Sequence, residues 1–216
     1  MVNLQEFVQL PNLLSLSRIP LAALAMYFLA QSDAYSAITA VTVLTVAGIT
    51  DGLDGYLARR RGQVTPLGVA LDPIADKLFA IILVAGLIMY RDFPVWMAAA
   101  IVGRDLLILG GGLLISRNRA ISLPSNLTGK YAFAATVVLL VSYVIRYEFG
   151  IQIMTVFTVV LLAASLVSYT RVFVLVRRGG AVSGFEDTAI TRNLRRGATW
   201  LVSAVYVVKL YLDLLR

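Results

Sequence analysis

Cysteine and histidine are both missing from the 216-residue chain. The first absence excludes disulfides and thiolate metal sites. The second removes imidazole acid–base catalysis and histidine-ligated zinc. Charge is scarce too: 14% of residues are charged, against roughly a quarter in an ordinary soluble domain. Any bound metal must therefore be held by oxygen, which favours magnesium, manganese or calcium.

What replaces charge is apolar surface. Hydrophobic residues make up 59% of the chain, and the mean hydropathy is +0.84. They are gathered into long blocks, and a bilayer core about 30 Å thick needs roughly 20 mainly apolar residues per helix. Apolar spans are predicted near 11–31, 35–56, 66–90, 94–116, 127–146 and 151–176. A polar segment, 177–196, then precedes a last apolar stretch from Ala198 to Leu215. The expected fold is an all-α integral membrane protein: a six-transmembrane-helix core over 1–178, then a polar linker and a C-terminal apolar helix over 179–216. That last helix either spans or lies at the interface, with Lys209 and Asp213 four apart and able to pair on one face. No internal repeat or low-complexity tract is visible. Met1 to Leu10 holds Glu6 and no basic residue, unlike a cleaved signal peptide.

The net charge of +7 points to cytoplasmic loops facing anionic lipid rather than to nucleic acid. Arg59, Arg60, Arg61, Arg117, Arg119, Lys130, Arg177, Arg178, Arg192, Arg195 and Arg196 fall on one side. Arg91 and Arg146, each near an acid (Asp92, Glu148), fall on the other. The positive-inside rule then puts the 57–66 segment and both ends of the six-span unit in the cytoplasm.

One segment carries the chemistry: Asp51-Gly-Leu-Asp-Gly-Tyr-Leu-Ala-Arg59, continuing to Gly68-Val-Ala-Leu-Asp-Pro-Ile-Ala-Asp76. On a helix, Asp51, Asp54, Gly55 and Ala58 occupy one stripe; on the next, Gly68, Asp72 and Asp76 do the same. Two adjacent antiparallel helices would aim four carboxylates into a common space. Four like charges there repel strongly, so cations must compensate. One or two divalent ions would do so, and paired metals can clamp both oxygens of a phosphoryl displacement. Arg59 adds a cation where a substrate phosphate would lie. Asp72 alone also suits a helix N-cap, since Pro73 follows it.

The run Asp51-x2-Asp54-Gly55-x2-Ala58-Arg59-x8-Gly68-x3-Asp72-x3-Asp76 resembles the full signature of the CDP-alcohol phosphotransferases, also called CDP-alcohol phosphatidyltransferases. Pro11-Asn-Leu-Leu-Ser-Leu-Ser-Arg18 resembles the start of that family's first helix. The resemblance covers roughly residues 5–178. It implies six transmembrane helices, a homodimer, and a polar cavity open to the cytoplasmic leaflet, in the inner membrane if the source is bacterial. It implies two divalent cations, Mg2+ or Mn2+, held by Asp51, Asp54, Asp72 and Asp76. It assigns Asp76 as the base that activates an acceptor hydroxyl, and Gly55, Ala58, Arg59 and Gly68 to the nucleotide pocket. The implied partners are CDP-diacylglycerol, an alcohol and membrane lipids, with no nucleic acid.

Arg104, Lys130 and Arg171 lie inside or near the ends of apolar spans. They read either as a pocket for an anionic acceptor or as residues that pair locally and snorkel to the interface. Gly103-Arg104-Asp105 resembles an element shared by phosphatidylglycerophosphate synthases and eukaryotic-type cardiolipin synthases. Gly129-Lys130 resembles one in the glycerophosphate enzymes, although Tyr-Ala-Phe-Ala-Ala then departs from their pattern. Glycerol 3-phosphate is the first expectation for the acceptor, phosphatidylglycerol the second, with inositol phosphate behind. Outside the enzymes, a small cation transporter would also use intramembrane acids. It would need polar residues through the full depth of the membrane, and those are not there.

Overall fold

A computed structural model describes residues 9–60, 66–118, 127–177, 205–206, 209–210 and 213. Among the described residues six long helices run in order: α1 Leu10–Leu29, α2 Ala34–Arg60, α3 Pro66–Tyr90, α4 Val95–Asn118, α5 Leu127–Val144 and α6 Glu148–Arg177. Each expected span is found as a helix, with ends shifted by a few residues. Four of the helical segments, Leu10–Leu29, Ala34–Leu57, Leu127–Val144 and Glu148–Arg177, are long and apolar enough to cross a membrane. Leu106, Leu107, Phe133, Val156 and Val160 are exposed, the pattern of a chain whose outer surface faces lipid rather than water.

The chain forms two compact units. The first holds Met1–Ala98 with Tyr143–Arg146; the second holds Ala99–Ser142 with Tyr147–Arg216. In the first unit, α1 packs against both α2 and α3. Small residues allow the approach: Ala22 and Ala25 of α1, and Ala37, Ala40 and Ala47 of α2, are buried. On α3, an added Cβ at Gly86 would sit 3.3 Å from both Leu29 Cδ1 and Met26 Cγ. Close backbone approach through small residues is how helices gain packing energy where no water drives them together.

The loop ends of this unit are well defined. Asp33 caps α2, accepting the Ser36 backbone N–H at 2.7 Å and its hydroxyl at 2.8 Å. Those two bonds, the backbone one first, lower the Asp33 pKa. Because the folded value is depressed, the cap is at full strength above the usual carboxylate range and fades as acid protonates it. After α3, Asp92 adopts φ 53°, and after α5, Arg146 adopts φ 54°. Phe93 N–H bonds back across the first of these turns to Leu87 O, six residues earlier, at 3.2 Å. Phe93 is buried and stacks edge-to-face on Tyr143, with centroids 4.9 Å apart.

Arg91 ties these ends together. It is 5% exposed. Its Nε donates to Val144 O at 3.2 Å and its Nη2 to Gln31 O at 3.1 Å. A longer contact, 3.4 Å, joins Nη1 to Tyr90 O. These carbonyls lie at or just past the C-terminal ends of α1, α3 and α5, where backbone acceptors lack helical partners and a cation is favoured. Burial, followed by the charge of Arg146, lowers the Arg91 pKa, and Asp33 partly offsets this. The acid next to it in sequence, Asp92, has no ion pair to it among the described residues.

In the second unit, α6 is 30 residues long, about 45 Å at 1.5 Å per residue. The described tail residues sit at its Glu148 end. Tyr206 OH lies 2.8 Å from Ser142 Oγ, and its ring meets Tyr147 edge-on at 5.5 Å. Lys209 stands over the Phe149 ring and pairs with Asp213 at 2.7 Å, as the four-residue spacing predicts. Gly150 makes this corner possible, because a Cβ there would lie 2.5 Å from Tyr147 Cδ1 and 2.8 Å from Ser142 Oγ. In α4, a Cβ added at Gly111 would meet the Phe173 ring at ordinary contact distance, whereas one at Gly110 would enter open space.

Candidate metal and phosphoryl-transfer site

The acidic site lies wholly within the first unit. Asp51 and Asp54 sit near the C-terminal end of α2, and Asp72 and Asp76 in the first half of α3. Since α3 begins at Pro66, Asp72 is inside the helix. The N-cap reading of Asp72–Pro73 is thereby excluded, and its carboxylate is released for the site.

Asp51, Asp72 and Asp76 each offer one ligand oxygen, all within 4.8 Å of one another. Their side chains are 54%, 46% and 54% exposed, so an ion or substrate can reach them. Asp54 is different: it is 5% exposed and accepts a hydrogen bond from Ser15 Oγ at 2.8 Å. It stands behind the other three. All-oxygen donors, half open and converging, fit a hard divalent cation that keeps part of its shell for water or phosphate.

The unexpected member is Arg18 of α1, only 2% exposed. Its Nη2 lies 2.9 Å from Asp51 Oδ1 and 2.9 Å from Asp72 Oδ1, and it also pairs with Asp54. Its Nη1 pairs with Asp76. One guanidinium thus touches all four carboxylates. Ser15, one helical turn earlier, lies within 3.3 Å of Asp72 Oδ1 and 3.2 Å of Pro11 O as well as bonding Asp54. Its single hydrogen must choose among them. The repulsion expected of four gathered acids is real, and this protein answers part of it with its own cation.

Reading the sequence by motif missed Arg18 and Ser15 as site residues, although Pro11–Arg18 was singled out. The available signal was physical: an arginine eight residues into an apolar span needs a polar partner.

Among the expected nucleotide-pocket residues, Gly55 follows Asp54 on α2 and Gly68 lies in the first turn of α3. Ala58 and Arg59 are on α2, but their side chains lie outside the described residues. Arg60 stacks over Tyr56 and reaches its hydroxyl at 3.2 Å.

The expected acceptor cations belong to the second unit. Arg104 of α4 pairs with Asp105 at 2.6 Å, donates to Ser165 Oγ at 2.5 Å, and lies over the Tyr169 ring at 5.7 Å. The local pairing that the sequence allowed is therefore present. Its Nε is buried with no hydrogen-bond partner among the described residues. Gly129 explains the close fit: an added Cβ would lie 3.0 Å from Arg104 Nη2 and 3.3 Å from Tyr169 Oη. Lys130 on α5 and Arg171 on α6 are exposed, and no ion pair engages either among the described residues. The structure gathers Arg104, Gly129, Ser165 and Tyr169; it records no contact between Arg104 and the other two cations.

Comparison with known proteins agrees with the motif. The profile of the family described as CDP-alcohol phosphatidyltransferase matches residues 8–170. A probable cardiolipin synthase (CMP-forming) of Drosophila melanogaster is 38% identical over 133 residues, covering 61% of this chain and 39% of that protein. The cardiolipin synthase (CMP-forming) of Streptomyces coelicolor is 32% identical over 115 residues, covering 50% of this chain and 52% of its own length. A CDP-diacylglycerol–glycerol-3-phosphate 3-phosphatidyltransferase of Aquifex aeolicus is 31% identical over 165 residues, 74% of this chain and 89% of the relative. The match thus spans about half or less of the two cardiolipin synthases and most of the Aquifex protein.

Proposed function

This chain belongs to the CDP-alcohol phosphatidyltransferase family, and from that premise we propose that it transfers the phosphatidyl group of CDP-diacylglycerol to an alcohol, with release of CMP, in phospholipid synthesis. The observation that carries the reading is the convergence of the Asp51, Asp72 and Asp76 oxygens within 4.8 Å, at the positions of the family signature. Asp51, Asp54, Asp72 and Asp76 would hold two divalent cations, Mg2+ or Mn2+. Bound there, the ions would neutralise the diphosphate and acidify the acceptor hydroxyl.

The chain's own groups do the rest. Asp76, at the exposed edge of the cluster, takes the acceptor's hydroxyl proton. The freed oxygen bonds to the phosphorus nearest the diacylglycerol, the bond from that phosphorus to the bridging oxygen breaks, and CMP leaves with the electron pair. Asp54, held by Arg18 and Ser15, fixes the register of α2 as well as supplying a ligand oxygen. Gly55, Ala58, Arg59 and Gly68 line the cytidine diphosphate, with the small residues leaving room for it.

The acceptor in this reading is glycerol 3-phosphate, whose phosphate charge Arg104, Lys130 and Arg171 would bind. It is supported by the near full-length match to the Aquifex glycerol-3-phosphate enzyme. Phosphatidylglycerol is the second reading, favoured by the 38% identity to the Drosophila cardiolipin synthase. The same proposal makes the core a six-span bundle and a homodimer, with the acidic site facing the cytoplasm. Purified full-length protein given CDP-diacylglycerol and magnesium, with one acceptor at a time, tests it. CMP release with glycerol 3-phosphate is the expected result, and release only with phosphatidylglycerol selects the second reading. No release with any of glycerol 3-phosphate, phosphatidylglycerol, serine or inositol phosphate would overturn the proposal.

A further inference from the structure

Arg18 is among the largest fully buried side chains of the described residues, yet its bonding is not that of a scaffold arginine. A scaffold guanidinium is satisfied by fixed, buried acceptors. Arg18 instead directs its terminal nitrogens at Asp51, Asp72 and Asp76, the three half-exposed carboxylates whose oxygens converge. Only Asp54, the fourth, is buried with it. Its Nε is buried and has no hydrogen-bond partner among the described residues. The guanidinium and a divalent ion therefore claim the same three side chains, and one donor of the guanidinium stands ready for a further acceptor.

We propose that Arg18 is a substrate-binding residue for the nucleotide's diphosphate, a role that rests on the phosphatidyl-transfer reading above. Once divalent ions engage Asp51, Asp72 and Asp76, Arg18 stays anchored on Asp54 and turns its Nε–Nη edge to the phosphate oxygens. That edge is the two-donor fork that phosphate accepts bidentately. Charge runs the same way. Arg18 offsets one of four carboxylates, and two divalent ions bring the set to a net single positive charge, which favours an incoming diphosphate. In the carboxylate set alone, with two ions, the charges would merely cancel.

The test uses the full chain in detergent, with Mn2+ binding read by electron paramagnetic resonance and CDP binding read by calorimetry at saturating Mn2+. In Arg18→Gln, loss of the competing cation is expected to tighten Mn2+ binding by about threefold to tenfold. CDP binding is expected to weaken by about tenfold or more, through loss of the charged fork. Arg18→Lys should return Mn2+ affinity toward wild type without restoring CDP affinity, because an ammonium lacks the fork. Unchanged CDP affinity in either variant overturns the proposal. So does weaker Mn2+ binding accompanied by a lower unfolding midpoint in both variants, which would make Arg18 a scaffold. If wild-type protein binds Mn2+ and CDP but releases no CMP from CDP-diacylglycerol, the transfer reading fails on its own and the Arg18 comparison still stands or falls by CDP affinity.

Discussion

The same unit holds two buried arginines, about 20 Å apart by the 1.5 Å rise between Arg18 and Gln31 along α1. Arg18 is 2% exposed and Arg91 5%; by burial alone they are alike. Their acceptors separate them. Arg91 donates to the neutral carbonyls of Gln31, Tyr90 and Val144, which belong to the backbone and stay in place. Arg18 is bonded to four carboxylates, three of them half open. An arginine sealed among backbone carbonyls is a staple, and one sealed against reachable carboxylates is part of a site. The identity and exposure of the partners, more than the burial of the cation, mark where chemistry happens.

That contrast can be broken at either end. The largest effect belongs to the acidic end: Asp76→Asn should lower CMP release by about a thousandfold, within the range of a lost general base, with the helical fold and thermal midpoint kept. Equal activity in the folded Asn variant would remove Asp76 as the base. At the other end, Arg91→Met should cost about 1–3 kcal/mol of stability, mainly by leaving the buried Val144 carbonyl without its donor. It should leave turnover per folded molecule unchanged below its lowered unfolding midpoint. A reduced turnover with stability intact would erase the distinction drawn between the two arginines.

Smaller changes sharpen it. Gly129→Ala puts a Cβ 3.0 Å from Arg104 Nη2 and should raise the KM for an anionic acceptor by about fivefold to tenfold, through displacement of a charged hydrogen-bond donor. The KM for CDP-diacylglycerol should not move; if both KM values rise together, Arg104 is not specific to the acceptor. Smallest of all, Asp92→Gly should stabilise the protein by about 0.5 kcal/mol, because glycine adopts the positive φ of that turn without strain. Thermal unfolding beside wild type reads it, and a lower midpoint would show that the Asp92 side chain does more than occupy the turn.

Much of this was legible in the amino-acid sequence. Six apolar blocks become six helices because a backbone without water must satisfy itself within each segment. The Asp51–Asp76 pattern could be read because helical periodicity alone puts those carboxylates on two stripes. The division of labour among the four was not legible. Periodicity treats Asp54 as one ligand of four, while the fold seals it against Arg18 and Ser15, which come from a helix some 36 to 39 residues away in sequence. Asp72 beside Pro73 looked equally suited to a cap, and only the start of α3 at Pro66 decided the matter. The three-carbonyl staple at Arg91 could not be foreseen either, since backbone acceptors leave no trace in residue identity. The corner built by Tyr206, Lys209 and Gly150 was visible only as the Lys209–Asp213 spacing.

The central claim is that the carboxylates gathered around Arg18 act through divalent ions on CDP-diacylglycerol. Its most direct test is CMP release by the purified protein before and after removal of divalent ions with EDTA, then after restoring magnesium or manganese. The account predicts that release stops on chelation and returns with either ion in wild type, and does not return in Asp51→Asn or Asp72→Asn. Release that continues unchanged in EDTA would contradict it.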